Sequence, residues 1–378
     1  MDNILLSAAL AFIITFFAIP VIIQIAKDKK LFDEPDERKV HKTVIPTLGG
    51  LGIFAGFAMA ILLGTPAGLS TELQFITAAA VVIFFLGLKD DILIISASKK
   101  FVGQLLAAGI LIRYAGVEIT NMHGFLGINE IPQFASVALS FFTIIVVTNS
   151  FNLIDGVDGL AGSLGVMTTL IFGLYFYNIG QLTYAVIAFA MAGSVCSFLI
   201  YNFSPAKIFM GDTGSLLLGL VNSILVIKFI NSAGTPGFLP IDIVSAAPAL
   251  GFAILMVPLF DTLRVFGLRI LSRRSPFSPD RNHVHHFLLD LGFTHKQITF
   301  TCVSANLLFI VLAFFAKDMG TTAVVAVLLT SAISLTFLLY YLRNRSMQAS
   351  LPMTHSEKTE MITTHKVLGI MAEPVEMD

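Results

Sequence analysis

The stretch FASVALSFFTIIVVTNSFNLIDGVDGLAGSLGVMTTLIFGLYFY (134–177) decides the fold class. Two long apolar runs enclose a short polar segment that holds Asn152, Asp155 and Asp158. The runs are continuous rather than alternating and approach the length of a membrane-spanning helix, so they predict helices and not the strands of a barrel. Charge between such runs is costly unless it is solvated, paired or bound to a cation. The stretch therefore predicts two spanning helices joined by a polar turn.

Similar apolar runs recur along the whole chain of 378 residues, which is 56% hydrophobic and 12% charged. Soluble proteins average about 25% charged residues, so about half of the usual charge is missing. The composition predicts an all-α, polytopic membrane protein with a single catalytic domain, 1–343, and a mobile cytoplasmic tail, 344–378. Eleven spans are predicted, near 3–25, 48–64, 73–88, 101–116, 134–149, 160–177, 182–200, 214–230, 243–263, 298–316 and 321–342.

The distribution of basic residues predicts the orientation of these helices. With the N-terminus outside, every lysine and arginine except Arg113, Lys228 and Lys317 falls in a cytoplasmic connection or in the tail. Such an excess of basic residues is typical of the cytoplasmic side of a membrane protein. The sequence therefore predicts an N-out, C-in topology. The formal net charge of −1 gives no indication of a nucleic-acid partner.

Each predicted cytoplasmic connection except the tail carries a compact group of polar residues. These groups are DEPDERKVHKTVIPTLGG (33–50), GLKDDI (87–92) with Lys99 and Lys100, NSFNLIDGVDGLAG (149–162), FMGDTGS (209–215), and DTLRV (261–265) with RRSPFSPDRNHVHHFLLDLGF (273–293). Simpler explanations exist: a solvated loop, an aspartate pair that ends a helix, or Asp212 as an ordinary N-cap. His283, His285 and His286 have a spacing compatible with zinc, but no fourth protein ligand is obvious in the nearby sequence.

Together the groups predict a phosphoryl-transfer site. Adjacent aspartates repel each other and are disfavoured at a helix C-terminus, so Asp90 and Asp91 indicate a bound cation. Carboxylate oxygens suit Mg²⁺, which takes one or two carboxylates, substrate phosphates and water. The neighbouring lysines, arginines and histidines suit the phosphates themselves. We therefore expect one phosphorylated, water-soluble substrate and a second substrate that arrives through the lipid; neither the sugar nor the lipid follows from these residues.

The five groups also carry a resemblance to a known family. PTLGG (46–50), GLKDDI, NLIDGVDGLAG (152–162), FMGDTGS and SPFSPDRNHVHHFLLDLGF follow the order found in the polyprenyl-phosphate N-acetylhexosamine-1-phosphate transferases. The chain resembles this family from about residue 30 to 297. The resemblance implies transfer of a sugar 1-phosphate from a UDP-N-acetylhexosamine donor to a polyprenyl phosphate, with release of UMP. It also implies a requirement for Mg²⁺, for which Mn²⁺ can substitute.

The resemblance implies roles for residues around the metal ion and the acceptor. Asp90 and Asp91 match the family's paired acids, one of which is the candidate for deprotonating the lipid phosphate. Asp212 matches the metal-ligand aspartate, and Asn152 resembles a second metal ligand. Lys100 matches a basic residue that holds the acceptor phosphate.

The resemblance also implies a set of donor-binding residues. Asp155 and Asp158 match positions near the nucleotide, with Asp158 the better candidate for a uridine contact. The other donor-binding positions are Asp36, Arg38 and Lys42 in the first loop, and Arg281, His283, His285 and His286 in the fifth.

Within the family, SPFSPDRNHVHH resembles the N-acetylglucosamine branch. That branch starts O-antigen, common-antigen or teichoic-acid linkage units in the bacterial inner membrane. The phospho-N-acetylmuramoyl-pentapeptide transferases of peptidoglycan synthesis, which have ten spans, are the alternative. An ion-coupled carrier is a more remote alternative, because carriers bind near the midplane and often contain repeats. A one-step or two-step mechanism, the donor epimer and homodimerisation stay open.

Overall fold

The computed structural model describes residues 2–29, 32–33, 45–65, 71–93, 95–239, 242–273 and 282–349. Thirteen α-helices dominate this part of the chain, together with two short antiparallel strand pairs. The helices are α1 (Asp2–Asp28), α2 (Gly49–Gly64), α3 (Glu72–Leu93), α4 (Ala97–Ala115), α5 (Gln133–Ile154), α6 (Leu160–Asn178), α7 (Leu182–Asn202), α8 (Gly211–Asn231), α9 (Ala247–Ile254), α10 (Met256–Leu271), α11 (Val284–Asp290), α12 (His295–Ala316) and α13 (Thr321–Ala349). The strands pair as β1 (Phe32–Asp33) with β2 (Ile45–Pro46), and β3 (Asn121–Phe125) with β4 (Ile128–Glu130).

The helices agree with the predicted fold class. A helix, or for 243–263 a bent pair of helices, lies at each predicted span. Within the described residues, seven helices are long and apolar enough to cross a membrane, namely α1, α5, α6, α7, α8, α12 and α13. The chain is therefore a multi-pass helical membrane protein. The count of eleven crossings and the N-out, C-in orientation stay predictions.

Helix α8 lies at the centre of the bundle. Of its 21 residues, 17 are buried, as expected for a helix that is apolar on all sides. Glycines let the neighbouring helices approach its start. A Cβ atom on Gly50 of α2 would lie 2.2 Å from the backbone nitrogen of Gly214, and one on Gly87 of α3 would lie 2.5 Å from the Cα of Thr213. Such close backbone approach is the usual reason for small residues between membrane helices.

The PTLGG group fixes the segment that leads into α8. The backbone N–H groups of Gly49 and Gly50 donate to the carbonyl oxygens of Phe209 (2.9 Å) and Met210 (2.8 Å). In return, the Phe209 N–H donates to the Pro46 carbonyl at 2.8 Å. The first N–H groups of a helix lack partners within that helix, so α2 obtains them from the segment before α8. Two of the polar groups therefore meet through their backbones.

Helices α3 and α8 run antiparallel and carry charge at both ends. Asp91, near the end of α3, contacts the first turn of α8 at Asp212. Glu72, at the start of α3, lies 3.5 Å from Lys228 in the last turn of α8. We call the Asp212 end the site end and the Lys228 end the opposite end. The hairpin β3–β4 lies at the opposite end beside the last turn of α8.

The ninth predicted span is broken at Leu255, where α9 and α10 meet with a bend of 75°. Pro258 lies in the first turn of α10 and has no N–H to donate to the Ile254 carbonyl. Asn306 of α12 supplies the missing partners. Its amide nitrogen donates to the Ile254 carbonyl (2.9 Å), and its amide oxygen accepts from the Val257 N–H (2.8 Å). The bend directs α10 against α5 at the site end.

Candidate active site

Asp91 holds the first turn of α8 in place. Its carboxylate accepts from the N–H groups of Asp212 (2.7 Å) and Thr213 (3.0 Å) and from the Thr213 hydroxyl (2.5 Å). The N-terminus of a helix carries unpaired donors and a partial positive charge, so a carboxylate there is stabilising. The simpler explanation of Asp212 as the N-cap is wrong, because Met210 occupies that position and Asp212 lies in the first turn. Asp91 caps α8 from a neighbouring helix instead.

Lys100 of α4 bridges two of the predicted catalytic and metal-binding acids. Its ammonium group lies 2.5 Å from Asp90 Oδ2 and also donates to Asp212 Oδ2. Asp90 is fixed in turn, because its other oxygen accepts from the Ile95 N–H at 2.6 Å. The structure thus brings Asp90, Asp91, Asp212 and Lys100 together at the junction of three helices, α3, α4 and α8.

Asn152 of α5 joins the same cluster through its amide nitrogen. That nitrogen donates to Asp212 Oδ1 (2.7 Å) and to the Ser215 hydroxyl oxygen (3.0 Å). Both oxygens of Asp212 are therefore occupied, one by Lys100 and one by Asn152. A metal ion would bind the amide oxygen of Asn152 rather than the nitrogen. The assignment of Asn152 as a second metal ligand stays a prediction.

Asp155 follows α5 in the turn that leads to α6, outside the spanning segments. Burial, with the carboxylates of Asp212, Asp91 and Asp158 nearby, raises the pKa of Asp155 to about 8. Desolvation and like charge both favour the protonated form of a carboxyl group. Asp155 therefore shares the site end with carboxylates that disfavour its own ionisation.

Asp158 stabilises the turn between α5 and α6. Its carboxylate accepts from the Ala206 N–H (3.1 Å) and lies 3.3 Å from His295 Nδ1. Its backbone carbonyl accepts from the Thr299 hydroxyl of α12 at 3.1 Å. The residue is 5% exposed, and its contacts tie three segments together. The predicted uridine contact of Asp158 stays a prediction, and its carboxylate faces these segments rather than the cavity described below.

His283 is fixed by Asp261 of α10. The Nδ1–H of His283 donates to Asp261 Oδ2 at 2.8 Å, since an ionised carboxylate can only accept. Asp261 Oδ1 accepts from Arg264 (2.8 Å) and from the Val284 N–H (3.1 Å). Asp261 stands in the DTLRV group of the sequence, but its link to a histidine 22 residues later has no local signal.

His285 is buried beside the turn that carries Asp155. A Cβ atom on Gly156 would lie 2.7 Å from His285 Nε2, so the close approach of ring and backbone requires glycine here. Burial, followed by the effect of neighbouring His286, lowers the pKa of His285 to about 3. His285 is therefore neutral near pH 7 and can offer a hydrogen bond but not a positive charge.

A cavity of about 410 Å³ opens beside these groups. Its polar lining comprises Lys100, Asn149, Asn152, Asp155, Arg269, His283, His285 and His286. Six of these eight are predicted site residues, and they come from α4, the end of α5, the turn after it and the segment that starts α11. Asn149 and Arg269 lacked an assigned role, although Asn149 opens the third polar group and Arg269 lies between the two stretches of the fifth. The predicted donor-binding residues Asp36, Arg38, Lys42 and Arg281 lie outside the described residues.

The acid cluster fits a magnesium ion. Asp90 and Asp212 come from different helices and already accommodate a cation, the Lys100 ammonium, between them. Mg²⁺ commonly uses one or two carboxylates and completes its shell with substrate phosphates and water. Among the described residues, no three His, Cys, Asp or Glu side chains form a closed metal cage. An oxygen pair open to a phosphorylated substrate is the arrangement that this ion prefers.

Comparison with known proteins gives a family and several relatives. The model of glycosyl transferase family 4 matches residues 73–230. The matched range contains Asp90, Asp91, Lys100, Asn152, Asp155, Asp158 and Asp212. It ends before α10 and the histidines.

The relatives extend the similarity over most of the chain. A probable undecaprenyl-phosphate N-acetylglucosaminyl 1-phosphate transferase of Bacillus subtilis is 32% identical over 330 residues, which cover 84% of this chain and 87% of the relative. A decaprenyl-phosphate N-acetylglucosaminephosphotransferase of Mycobacterium tuberculosis is 34% identical over 76% of each chain. An undecaprenyl-phosphate alpha-N-acetylglucosaminyl 1-phosphate transferase of Escherichia coli is 28% identical over 72% of this chain and 73% of the relative.

Proposed function

The chain belongs to glycosyl transferase family 4, and on that premise we propose that it transfers N-acetylglucosamine 1-phosphate from UDP-N-acetylglucosamine to a polyprenyl phosphate. The names of three relatives from different bacteria support this donor and this class of acceptor. The product would be the first lipid-linked intermediate of a cell-envelope glycan. The protein would act in the bacterial inner membrane, with the site end facing the cytoplasm, where nucleotide sugars are available.

One observation carries the proposal: the bridge of Lys100 between Asp90 and Asp212 at the end of the bundle. A phosphoryl-transfer site must neutralise several phosphate charges, and it does so with a metal ion and basic side chains. The cluster offers carboxylates for the ion and an ammonium group for a phosphate. It lies at the end of the helices, whereas an ion-coupled carrier usually binds near the midplane. This location favours an enzyme over a carrier.

The two substrates would meet where the cavity borders the acid cluster. The donor's diphosphate and sugar would lie against His283, His285, His286 and the buried Arg269, which line one side of the cavity. The acceptor phosphate would arrive from the lipid and bind Lys100. An ammonium group carries three donors, so Lys100 can contact a phosphate while it keeps its bond to Asp90.

The chemistry is an in-line displacement. An oxygen of the acceptor phosphate forms a bond to the β-phosphorus of the donor, and the bond from that phosphorus to the bridging oxygen breaks. UMP leaves with the bridging oxygen. A phosphate monoester has a second pKa of about 6, so it is mostly ionised near pH 7 and needs no strong base. Asp90 would then hold Lys100 in place and accept the residual proton when the phosphate arrives as a monoanion.

Two groups of residues would prepare this step. Asp212, with Asp90 or Asn152 as a further oxygen ligand, would hold Mg²⁺ or Mn²⁺, and the ion supplies charge neutralisation at the diphosphate. Asp91 fixes the backbone of Asp212 through the three hydrogen bonds described above. Asp155 lines the cavity and would lie near the nucleotide, whereas Asp158 would support the turn that carries it.

The test is incubation of the detergent-purified protein with UDP-N-acetylglucosamine, undecaprenyl phosphate and Mg²⁺, with UMP release and labelled lipid as readouts. Both products should form in equal amounts, and both should disappear when the lipid or the divalent ion is left out. UMP release that does not depend on the lipid would favour a two-step mechanism with a sugar-phosphoryl enzyme.

Donor choice is tested in the same assay with UDP-N-acetylgalactosamine and with UDP-N-acetylmuramoyl-pentapeptide. We expect turnover with N-acetylglucosamine to exceed that with either. Preferred turnover of the muramoyl-pentapeptide donor would contradict the proposed branch and leave the family assignment intact. No turnover with any donor, in a protein that retains its helices, would overturn the proposed function.

A further inference from the structure

Asp261 of α10 is a buried carboxylate that lies outside the range matched by the family model. Its side chain is 2% exposed, and its Oδ2 lies 2.8 Å from His283 Nδ1. A carboxylate in such a position needs charged or hydrogen-bonded partners. We propose that Asp261 is a positioning residue, which fixes the ring of His283 so that its Nε2 faces the donor diphosphate. This inference rests on the proposed function.

The contacts of Asp261 fix three consecutive residues, 282–284, against α10. Its Oδ2 accepts from His283 and its Oδ1 from the Val284 N–H. Arg264, one turn further along α10, donates to Asp261 Oδ1 and also to the Asn282 carbonyl. The carboxylate and the guanidinium therefore act together on the segment that enters α11. The Asn306 contacts fix the start of α10, and Asp261 in turn fixes His283 and Val284 to α10.

The bond to Nδ1 decides what the other ring nitrogen can do. With Nδ1–H donated to Asp261, Nε2 is left for a ligand in the cavity that His283 lines. When Nε2 also carries a proton, it can donate to a phosphate oxygen, and the negative charge of Asp261 offsets the positive charge of the ring. Carboxylate partners fix metal-bound histidines in the same way, and loss of such a partner typically lowers metal affinity or activity by about 10–100-fold.

The effect of Asp261 extends beyond His283. The rings of His283 and His285 are stacked, with centroids 5.6 Å apart and planes 7° from parallel. His285 in turn packs against Gly156, in the turn that carries Asp155. A rotation of the His283 ring would therefore disturb a row of groups that extends across the cavity to the α5–α6 turn.

A purely structural role is the competing explanation, because Asp261 also receives the first N–H of α11. The variant Asp261→Asn separates the two roles. Its amide oxygen can still accept from the Val284 N–H and from Arg264. Its amide nitrogen would face His283, so Nδ1 must become the acceptor and the ring proton moves to Nε2. The fold is kept, and the direction of one hydrogen bond is reversed.

Steady-state kinetics of UMP release form the first part of the test. We expect kcat/KM for UDP-N-acetylglucosamine to fall about 10–100-fold in Asp261→Asn, with little change in the thermal midpoint. His283→Gln should cause a similar loss, and the double variant should be no worse than the poorer single variant, because both remove the same contact. Asp290→Asn is the matched control, because it replaces another aspartate with asparagine. Asp290 lies in α11, its Oδ2 is 2.7 Å from Arg343, and the variant should keep wild-type activity.

The second part reads the ring directly. ¹⁵N spectra of histidine-labelled protein, with the His283 signal assigned from its loss in His283→Gln, should report a protonated Nδ1 in the wild type and a protonated Nε2 in Asp261→Asn. Losses that multiply in the double variant, or an unchanged ring tautomer in Asp261→Asn, would overturn the proposal. If wild-type protein shows no turnover with any donor, the proposed function fails, and the tautomer measurement still decides the role of Asp261.

Discussion

The antiparallel helices α3 and α8 carry a lysine–carboxylate cluster at each end, and the two clusters differ in charge balance. At the opposite end, Lys228 faces one carboxylate, Glu72, at 3.5 Å. At the site end, Lys100 bridges two carboxylates, Asp90 and Asp212. The lysine at the opposite end therefore has one carboxylate partner, whereas the lysine at the site end, which α4 supplies, is shared by two.

The cluster at the opposite end is also complete in its hydrogen bonds. Lys228 donates to the Ala115 carbonyl at 3.2 Å and lies over the ring of Tyr184, whose hydroxyl donates to Glu72. The site end instead crowds further acids beside this pair: Asp91 caps α8 next to Asp212, and the neighbouring carboxylates help to raise the pKa of Asp155 to about 8. Because unpaired charge near a membrane is costly, crowding of this kind is retained where a ligand supplies positive charge. The difference separates a structural contact from a binding site.

The largest expected effect comes from Asp212→Asn. The change removes the charge that holds Lys100 and that would hold the proposed ion, but it keeps the shape of the side chain. We expect kcat to fall by about 10³-fold or more, since loss of charge stabilisation in the transition state costs several kcal/mol. UMP release by purified protein measures it. Glu72→Gln is the matched control at the opposite end and should keep activity; near-normal turnover in Asp212→Asn would remove Asp212 from the site.

A smaller effect on turnover is expected for Lys100→Met. In the proposed site the acceptor phosphate would lose its ammonium partner, so kcat/KM for undecaprenyl phosphate should fall about 10²-fold. The affinity of the substrate-free protein for Mn²⁺ should increase instead. The two carboxylates are then freed from their cation, and we expect affinity, measured by paramagnetic resonance, to rise about tenfold, which corresponds to about 1.4 kcal/mol.

Lys228→Met is the matched control for that experiment. It removes an ammonium group from the other end of α8 and should change neither Mn²⁺ affinity nor lipid kinetics. Equal Mn²⁺ affinity in wild type and Lys100→Met would contradict the view that Lys100 and the ion share one position.

The crowding of carboxyl groups at the site end should also make the stability of the protein depend on pH. Burial and the neighbouring carboxylates raise the pKa of Asp155 to about 8, whereas an unfolded chain releases this proton near pH 4. The folded state therefore binds the proton more tightly, and its contribution to stability is complete below about pH 4 and lost as the pH rises to about 8. In metal-free protein, the thermal midpoint of Asp155→Asn should rise by a few degrees relative to that of wild type as the pH increases from about 4 to about 8. A difference that does not vary with pH would show that Asp155 is ionised in the folded protein.

Much of this comparison could be predicted from the sequence. The helices follow from the length of their apolar runs, and the polar groups mark where those runs end. The common location of the groups was predicted from the basic residues, and the contacts of α3, α4, α5, α8 and α10 at the site end confirm that they gather there. These predictions use local properties of the chain and the rule that successive membrane-spanning helices alternate in direction.

The roles of individual acids could not be predicted in this way. Asp90 and Asp91 are neighbours in sequence, but successive residues of a helix point about 100° apart. One therefore meets Lys100 and the other meets the start of α8. The rotation of α3 against α8 decides which of the two aspartates meets Lys100. Gly87 permits the observed rotation, because it lets the backbones of the two helices touch. Asp261 is a similar case, since its partner His283 lies 22 residues later in the chain and becomes its neighbour only in the folded structure.

The smallest effects are expected at the opposite end, and they define what a structural cluster does. Glu72 is 38% exposed at its side chain, so solvent screens its attraction to Lys228, and a pair of this kind contributes about 0–1 kcal/mol. Lys228→Met and Glu72→Gln should each lower the thermal midpoint by no more than about 2–4 °C, with a coupling of similar size in the double variant. Activity at a temperature well below the midpoint should stay at the wild-type level. A loss of turnover comparable to that of Lys100→Met would mean that α8 transmits a change over its whole length, and the division of the helix pair into a structural end and a catalytic end would have to be abandoned.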